Sequence, residues 1–200
     1  MVSKAKSQDK SENTTERLAG FFKHAIALKS VKRSGWISKV NVKEAESVAD
    51  HSYSMCMAGM VLADLQGLDA EKAMRMILLH DLPESVTGDL MPGEVSKPQK
   101  AAAENRAMTE ILSLLPEPLK ARYAAIWNEY AEAKTELARF VHRIDKLEMG
   151  LQAREYEKQG YDRLALEEFH RSALDAVAGP SATDPMTGIL RSLSRAGEKG

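Results

Sequence analysis

The apolar residues of this chain recur at helical spacing over most of its length. Between about residues 14 and 178 they return at steps of three and four, while alternation of β-branched residues is scarce. Steps of three and four place side chains on one side of a helix. Hydrophobic residues make up 44% of the 200 positions, which is enough for one core but too few for two independent ones. We therefore predict an all-α fold with a single domain over residues 14–178.

The two ends of the chain have a different composition. Residues 1–13 are mostly Lys, Ser, Asp and Asn, with little apolar surface to bury, and predict an unstructured lead before a helix capped by Thr15. Residues 179–200 begin with Gly, Pro, Ser, Thr and Asp, followed by a short apolar pattern near Ile189. This segment predicts a tail or a short docked helix.

Six further helices are predicted between these ends, each bounded by a capping residue, a glycine or a proline break. Their approximate ranges are 47–66, 69–84, 99–115, 118–130, 132–159 and 162–178. The stretch before them contains Lys32, Arg33 and Trp36 around a Ser-Gly pair. Serine and glycine favour turns, so we predict an exposed basic turn that carries a large aromatic residue.

Charge and cysteine content exclude several classes of protein. Lys and Arg number 28 against 29 Asp and Glu, so no strong overall field attracts a nucleic acid polymer or an anionic membrane. Cys56 is the single cysteine, which excludes an internal disulfide and favours a reducing compartment. The sequence has neither an 18-residue apolar run nor the pattern of a signal peptide. We expect a soluble, cytoplasmic protein that binds a small molecule.

The first candidate ligand for a metal is His51, which lies on the apolar stripe of helix 47–66, between Val48 and Met55. A histidine in such a position is, when taken alone, more often a core residue that is hydrogen-bonded to a neighbour. His51 by itself therefore does not indicate a site.

A His-Asp pair ends the next predicted helix. His80 shares a face with Ile77 and Glu84, and Asp81 lies beside it. Carboxylates next to a core are costly unless something compensates them, and a divalent cation does so. A set of imidazole and carboxylate ligands suits Mn, Fe, Co, Ni or Zn. The alternative is a helix end where His80 caps backbone carbonyls and the acids face solvent.

Asp145 is a further candidate ligand for a metal. It lies next to Val141 and Ile144, on the predicted inner side of the long helix. A surface carboxylate that pairs with Lys146 or Arg143 is the alternative. One His, a His-Asp pair and one Asp, each on a different helix, together favour a metal site over the three separate alternatives.

The flanking residues carry a family resemblance. The segments are ESVADHS around His51, LLHDLPESVTGDL after it, and FVHRIDKLEMGLQAREYE around Asp145. Together they resemble the HD superfamily of metal-dependent phosphohydrolases, and most closely its 5'-deoxynucleotidases of the archaeal and eukaryotic branch. The resemblance covers about residues 14–175. It implies a single HD-domain helical bundle, with the metal site between helices.

This resemblance also implies roles for individual residues. The implied ligands of one divalent transition metal ion (Mn, Co, Fe, Ni or Zn) are His51, His80, Asp81 and Asp145. Glu84 matches the residue for general acid or base catalysis, and Asp89 matches an active-site aspartate that helps to hold the deoxyribose. Thr87 lies in the turn between them, where it could contact substrate.

In the family, an Arg and a Trp ahead of the first ligand contact the phosphate and the sugar, and the ring disfavours a ribose 2'-hydroxyl. Trp36 matches the aromatic residue. Either Lys32 or Arg33 matches the cation, since Ser34 and Gly35 separate Arg33 from the ring.

The function predicted from these features is removal of the 5'-phosphate from deoxyribonucleoside 5'-monophosphates, which yields a deoxynucleoside and phosphate. Two alternatives remain. One is an HD phosphohydrolase for a cyclic nucleotide or a guanosine polyphosphate, and the other is a catalytically silent module that binds a nucleotide. The apolar LEMGLQA segment and the dimeric family both predict a homodimer.

Overall fold

The computed structural model describes residues 2–91, 93–178 and 184–196, with side chains for residues 14–91, 93–178 and 184–192. Regular structure in these ranges is mainly helical, and an isolated antiparallel bridge joins Lys32 and Ser47. The predicted all-α class is therefore confirmed. In chain order the helices are α1 (Val2–Ala27), α2 (Ser34–Val40), α3 (Val48–Gln66), α4 (Ala70–His80), α5 (Glu84–Thr87), α6 (Lys97–Ser113), α7 (Glu117–Glu132), α8 (Glu136–Lys158), α9 (Arg163–Val177) and α10 (Pro185–Ala196).

Helix α8 lies at the centre of the bundle and packs against α3, α4, α7, α9 and α10. Two glycines permit close helix contacts in this core. A Cβ at Gly59 would lie 2.4 Å from Cδ1 of Ile77, so this glycine lets α3 approach α4. A Cβ at Gly150 would lie 2.8 Å from Cβ of Ala173, where α8 meets α9. Close packing fixes the relative positions of α3, α4 and α8, which carry the candidate ligands.

The caps of α3 and α4 lie where the sequence predicts them. Ser47 and Asp50 form a capping box at the start of α3, with each side chain bonded to the other residue's backbone N–H. Gly67, at φ 69°, ends α3, and the Asp69 carboxylate caps α4 by accepting from Lys72 N. These caps place His51 in the second turn of a helix whose first turn is fully bonded.

The predicted helix 69–84 is shorter than expected. It ends at His80, and a separate short helix, α5, begins at Glu84. Pro83 explains the break, because proline has no backbone N–H and disfavours helical geometry in the residue before it. Neighbouring side chains within a helix diverge by about 100°. The break frees Asp81 from that geometry, and its carboxylate approaches the His80 ring.

The predicted exposed turn around Trp36 is wrong. Residues Ser34–Val40 form α2, and the Trp36 side chain is only 1% exposed. Its ring stacks on Phe169 at 4.3 Å between centroids and meets Tyr156 edge-on at 5.2 Å. Its indole N–H donates to Glu46 Oε1 over 2.8 Å. Aromatic residues more than a hundred positions away bury this ring, and no local pattern reports them.

The N-terminal end of the chain also departs from the prediction. The backbone of α1 is helical from Val2, whereas the sequence predicted a lead over residues 1–13; residue 1 and the side chains of residues 2–13 lie outside the described part. A helix that forms downstream can propagate through Ala, Lys and Gln without burying them.

At the other end, α10 docks on α8 and α9 and buries Met186 and Leu190, which matches the docked-helix alternative. Residues 179–183 and 197–200 lie outside the description. The domain limits remain a prediction. No helix in the described part of the chain combines the length and the apolarity that a bilayer span requires.

Candidate metal centre and active site

The structure brings the four predicted ligands together from three helices. His51 projects from α3, His80 and Asp81 lie at the end of α4, and Asp145 projects from α8. Asp81 Oδ2 lies 3.0 Å from His80 Nε2 and 3.8 Å from His51 Nε2. Asp145 Oδ1 lies 3.4 Å from His51 Nε2. Bonds of about 2 Å to a common cation would place its ligand atoms roughly 3–3.5 Å apart. The contacts at 3.0 and 3.4 Å fall in this range, and ligand atoms of His51, His80 and Asp81 all lie within 4.8 Å of one another. Asp145 adjoins this group through its contact with His51.

In both imidazoles the protein contacts Nδ1, and Nε2 faces the other candidate ligands. His80 Nδ1 lies 2.6 Å from the Ile77 carbonyl, and His51 Nδ1 lies 2.6 Å from Glu148 Oε2. The two Nε2 atoms are buried and make no hydrogen bond of good geometry, although Asp81 Oδ2 lies 3.0 Å from that of His80 and Asp145 Oδ1 lies 3.4 Å from that of His51. A buried, unpartnered polar atom is costly, and a bound cation removes that cost. The residues present therefore fit a divalent metal ion, and the histidine and carboxylate donors suit a transition metal.

Electrostatics at these residues also favour a positive charge. Burial and the nearby Arg33 oppose protonation of His51, but contacts with the Asp145 and Glu148 carboxylates outweigh them and raise its pKa to about 10. Burial opposes ionisation of Asp81, but His80 and Arg33 outweigh it and hold its pKa far below the usual value. The His51 imidazolium thus supplies charge that a metal ion would replace, and metal binding has to displace its Nε2 proton.

A cavity of about 510 Å³ opens on these residues. Four residues that the sequence predicted for catalysis or substrate binding line it: Arg33, Trp36, Glu84 and Asp89. Two others do not. Lys32 is exposed on another side and donates to the Ala45 carbonyl over 2.7 Å, and the Thr87 hydroxyl bonds to the Gly88 carbonyl within its own turn. The local backbone occupies both groups, so the predicted contacts of Lys32 and Thr87 with substrate are not supported.

Of the two cations that the sequence offers, Arg33 is the one that reaches the site. Its Nη1 lies 3.4 Å from Asp81 Oδ2, and its side chain is 16% exposed. The isolated bridge between Lys32 and Ser47 explains why Arg33, and not Lys32, faces the cavity, because neighbouring side chains on an extended segment point in opposite directions. The separation of Arg33 from Trp36 by two residues is accommodated because α2 starts between them.

Glu84 is a buried acid at the edge of the metal site. It is 3% exposed, and its Oε2 has no hydrogen-bond partner. Burial, reinforced by the negative charges of Asp81 and Asp89, raises its pKa to about 9. Glu84 therefore carries a proton at neutral pH and can donate it to a leaving group.

Asp89 lines the cavity beside the start of α2. Its Oδ2 accepts from the Ser34 backbone N–H over 2.7 Å, and its carbonyl accepts from the Ser34 hydroxyl over 2.8 Å. These bonds fix the carboxylate against the start of α2. Its other oxygen remains available as an acceptor for a sugar hydroxyl.

Sequence reasoning missed several residues of the site. The cavity is also lined by Lys39, Lys100, Glu104, Tyr130, Lys146 and Phe169. Lys146 Nζ lies 2.9 Å from Asp145 Oδ2, and Glu148 contacts His51. Glu148 follows Asp145 by three positions and so shares its helix face, a signal in the sequence that was assigned instead to a subunit contact. Phe169 gives no such signal, because its proximity depends on how α9 packs.

The fold and the site define the class of this protein. An all-α bundle with a His, His-Asp and Asp set between helices is the arrangement of HD domains, and the HD-domain family model matches residues 25–181. The chain therefore belongs to the HD-domain family.

Known relatives are similar over most of their length. The chain is 37% identical to the 5'-deoxynucleotidase HDDC2 of Mus musculus, over 82% of this chain and 81% of the relative. It is 39% identical to the 5'-deoxynucleotidase HDDC2 of Dictyostelium discoideum, over 76% and 85% respectively. A crystal structure of a Pyrococcus horikoshii protein superposes with a TM-score of 0.74 at 30% identity, over 88% of this chain and 98% of the other.

Proposed function

We propose that this protein is a metal-dependent 5'-deoxynucleotidase, which hydrolyses deoxyribonucleoside 5'-monophosphates to deoxynucleosides and phosphate. The observation that carries the proposal is the juxtaposition of two buried imidazole Nε2 atoms, the carboxylates of Asp81 and Asp145, and the buried acid Glu84 beside one cavity. Similarity to relatives named 5'-deoxynucleotidase supports the choice of substrate.

In this proposal His51, His80, Asp81 and Asp145 hold one divalent transition metal ion, one of Mn, Co, Fe, Ni or Zn. The ion, when bound, would neutralise phosphoryl oxygens and lower the pKa of a coordinated water. Arg33, whose guanidinium lies against Asp81, would bind the phosphate through two parallel hydrogen bonds.

Glu84 would protonate the departing 5'-oxygen, since a poor alkoxide leaving group needs a proton at the moment the P–O bond breaks. Asp89 would accept a hydrogen bond from a deoxyribose hydroxyl. The stacked rings of Trp36 and Phe169 would form a rigid wall against a ribose 2'-hydroxyl. Glu84 also argues against a silent binding module, because binding alone has no use for a buried, protonated acid.

A phosphate-release panel tests this function. Purified protein is stripped of metal, reloaded with Mn²⁺ or Co²⁺, and assayed with deoxyribonucleoside and ribonucleoside 5'-monophosphates, a cyclic nucleotide and a guanosine polyphosphate. We expect phosphate from the deoxyribonucleotides and much less from their ribo counterparts. Preferential turnover of the cyclic nucleotide or the polyphosphate would contradict the proposal, as would no turnover of any substrate.

The adjacent residues Arg33 and Lys32 provide a matched pair for the phosphate contact. Arg33→Ala should lower kcat/KM for a deoxynucleoside monophosphate by about 10²-fold, because the variant loses two hydrogen bonds between the charged guanidinium and the phosphate. Lys32→Ala should change it less than about twofold, because Lys32 points away from the cavity. Steady-state kinetics on both variants check this, and an equal loss in both would contradict the assignment.

We also propose that the protein forms a homodimer. The LEMG segment no longer supports it, because Leu147, Glu148, Met149 and Gly150 are buried within the chain. A different surface supports a homodimer. Tyr53, Met57, Val61 and Leu65 form an exposed apolar stripe at four-residue spacing along α3, in which Leu65 is 72% exposed.

Light scattering should give twice the chain mass of 22.1 kDa. Val61→Glu should halve the measured mass, whereas Leu164→Glu, at an exposed apolar position on α9 outside the stripe, should not. A single-chain mass for the wild-type protein would contradict the dimer.

The cytoplasmic location expected from the single cysteine stays a prediction.

A further inference from the structure

A buried carboxylate contacts the side of His51 that faces away from the metal site. Glu148 is 3% exposed, and its Oε2 lies 2.6 Å from His51 Nδ1. It follows Asp145 by one turn of α8, so a single helix face presents a candidate ligand and the carboxylate behind another ligand. Nothing in the reaction proposed above uses Glu148.

The two candidate imidazole ligands are oriented in different ways. His80 Nδ1 is held by the Ile77 carbonyl of its own helix, 2.6 Å away. The His51 partner comes from another helix and is ionisable. The neighbouring Glu46 accepts from the Trp36 indole N–H, and its carboxylate lies within 4.8 Å of both Glu148 and His51. The hydrogen bond of His51 Nδ1 is to Glu148 and not to Glu46, whose Oε1 accepts from Trp36.

We propose that Glu148 is a positioning residue for the metal ligand His51. By accepting the Nδ1–H bond it holds the ring in the tautomer that leaves Nε2 facing Asp81 and Asp145. A carboxylate in this position also makes Nε2 a stronger donor to a cation. The inference rests on the proposed metal site, and its effect is on metal affinity before any effect on turnover.

The competing explanation is an ion pair that only joins α3 to α8. Losing one partner of such a pair lowers the stability of the fold. It does not change how tightly a folded molecule binds metal. Metal affinity measured on folded protein therefore separates the two roles.

The variant Glu148→Gln keeps the size of the side chain and removes its charge. Glu157→Gln is the matched control, because Glu157 lies on the same helix, also faces a histidine, His170 at 3.4 Å, and is outside the cavity. Calorimetric titration of the metal-stripped proteins with Mn²⁺ should show Glu148→Gln binding about 10- to 100-fold more weakly than the wild type. Glu157→Gln should bind like the wild type. Phosphate release by Glu148→Gln should recover as Mn²⁺ is raised.

Equal Mn²⁺ affinity in Glu148→Gln and Glu157→Gln, with both folded by circular dichroism, would overturn the proposal.

A second measurement needs no variant. In wild-type protein loaded with Zn²⁺, two-bond ¹H–¹⁵N spectra of the histidines should place the His51 proton on Nδ1 and the metal on Nε2. A proton on Nε2 or a metal on Nδ1 would overturn the assignment. The calorimetric titration and the spectra use metal alone as the probe, so a failure of deoxynucleotide hydrolysis leaves their outcomes unaffected.

Discussion

Replacing Asp81 with Asn is expected to lower the rate of phosphate release from deoxynucleoside monophosphates by about 10³-fold, which corresponds to about 4 kcal/mol. Asp81 Oδ2 is the oxygen that approaches both candidate imidazoles and Arg33. The amide keeps the shape of the side chain but removes the negative charge that holds a cation between the two rings. Arg33 also loses the carboxylate that orients it.

The measurement is kcat/KM together with metal content per chain, each in Asp81→Asn and in Asp175→Asn. Asp175 is an exposed aspartate on α9 outside the cavity, and its amide variant should match the wild type in both quantities. Asp81→Asn should retain little metal after dialysis. Wild-type turnover in Asp81→Asn would show that this carboxylate is not a ligand and would remove the proposed site.

Glu84→Gln should lower kcat by about 10²- to 10⁴-fold, the usual contribution of a general acid, while metal binding is retained. The amide fills the same buried space but has no acidic proton for the leaving oxygen. The exposed Glu110 on α6 is a suitable control, and Glu110→Gln should keep wild-type kcat. Loss of metal in Glu84→Gln would instead identify Glu84 as a ligand.

The pH profile adds a second readout for Glu84. The pKa of this buried acid is about 9, above its usual value, so the active, protonated form declines as pH rises through that range. A bound cation favours the ionised form and shifts the decline to somewhat lower pH. The wild-type rate should therefore fall on the basic side, and the residual rate of Glu84→Gln should lack that fall. An identical basic limb in both proteins would contradict the assigned role.

Much of the fold could be predicted because its signals are local. The Ser47 and Asp69 caps and the Gly67 terminator lie within one turn of the helix ends they define. The ligand set was predictable for a related reason, since each residue combines a helix position with a chemically specific side chain. Pro83 was equally visible in the sequence, and its effect on α4 was missed because the apolar pattern continues past it.

The parts that could not be predicted depend on packing between distant helices. Trp36 is buried by Phe169 and Tyr156, and Glu148 meets His51 because α3 packs against α8. Hydrophobic periodicity assigns a residue to a face, but it does not say which side chain of another helix lies opposite. The choice of Arg33 over Lys32 required the same tertiary information.

The central claim is that one divalent metal ion, held by four residues from three helices, makes this protein a deoxynucleotide phosphatase. Its most direct test is a joint titration of metal-stripped protein with Mn²⁺ or Co²⁺, in which bound metal and phosphate release from a deoxynucleoside monophosphate are measured on the same samples. The account predicts that both rise together and saturate at one ion per chain. Phosphate release by fully stripped protein, or metal-saturated protein that releases none, would contradict it.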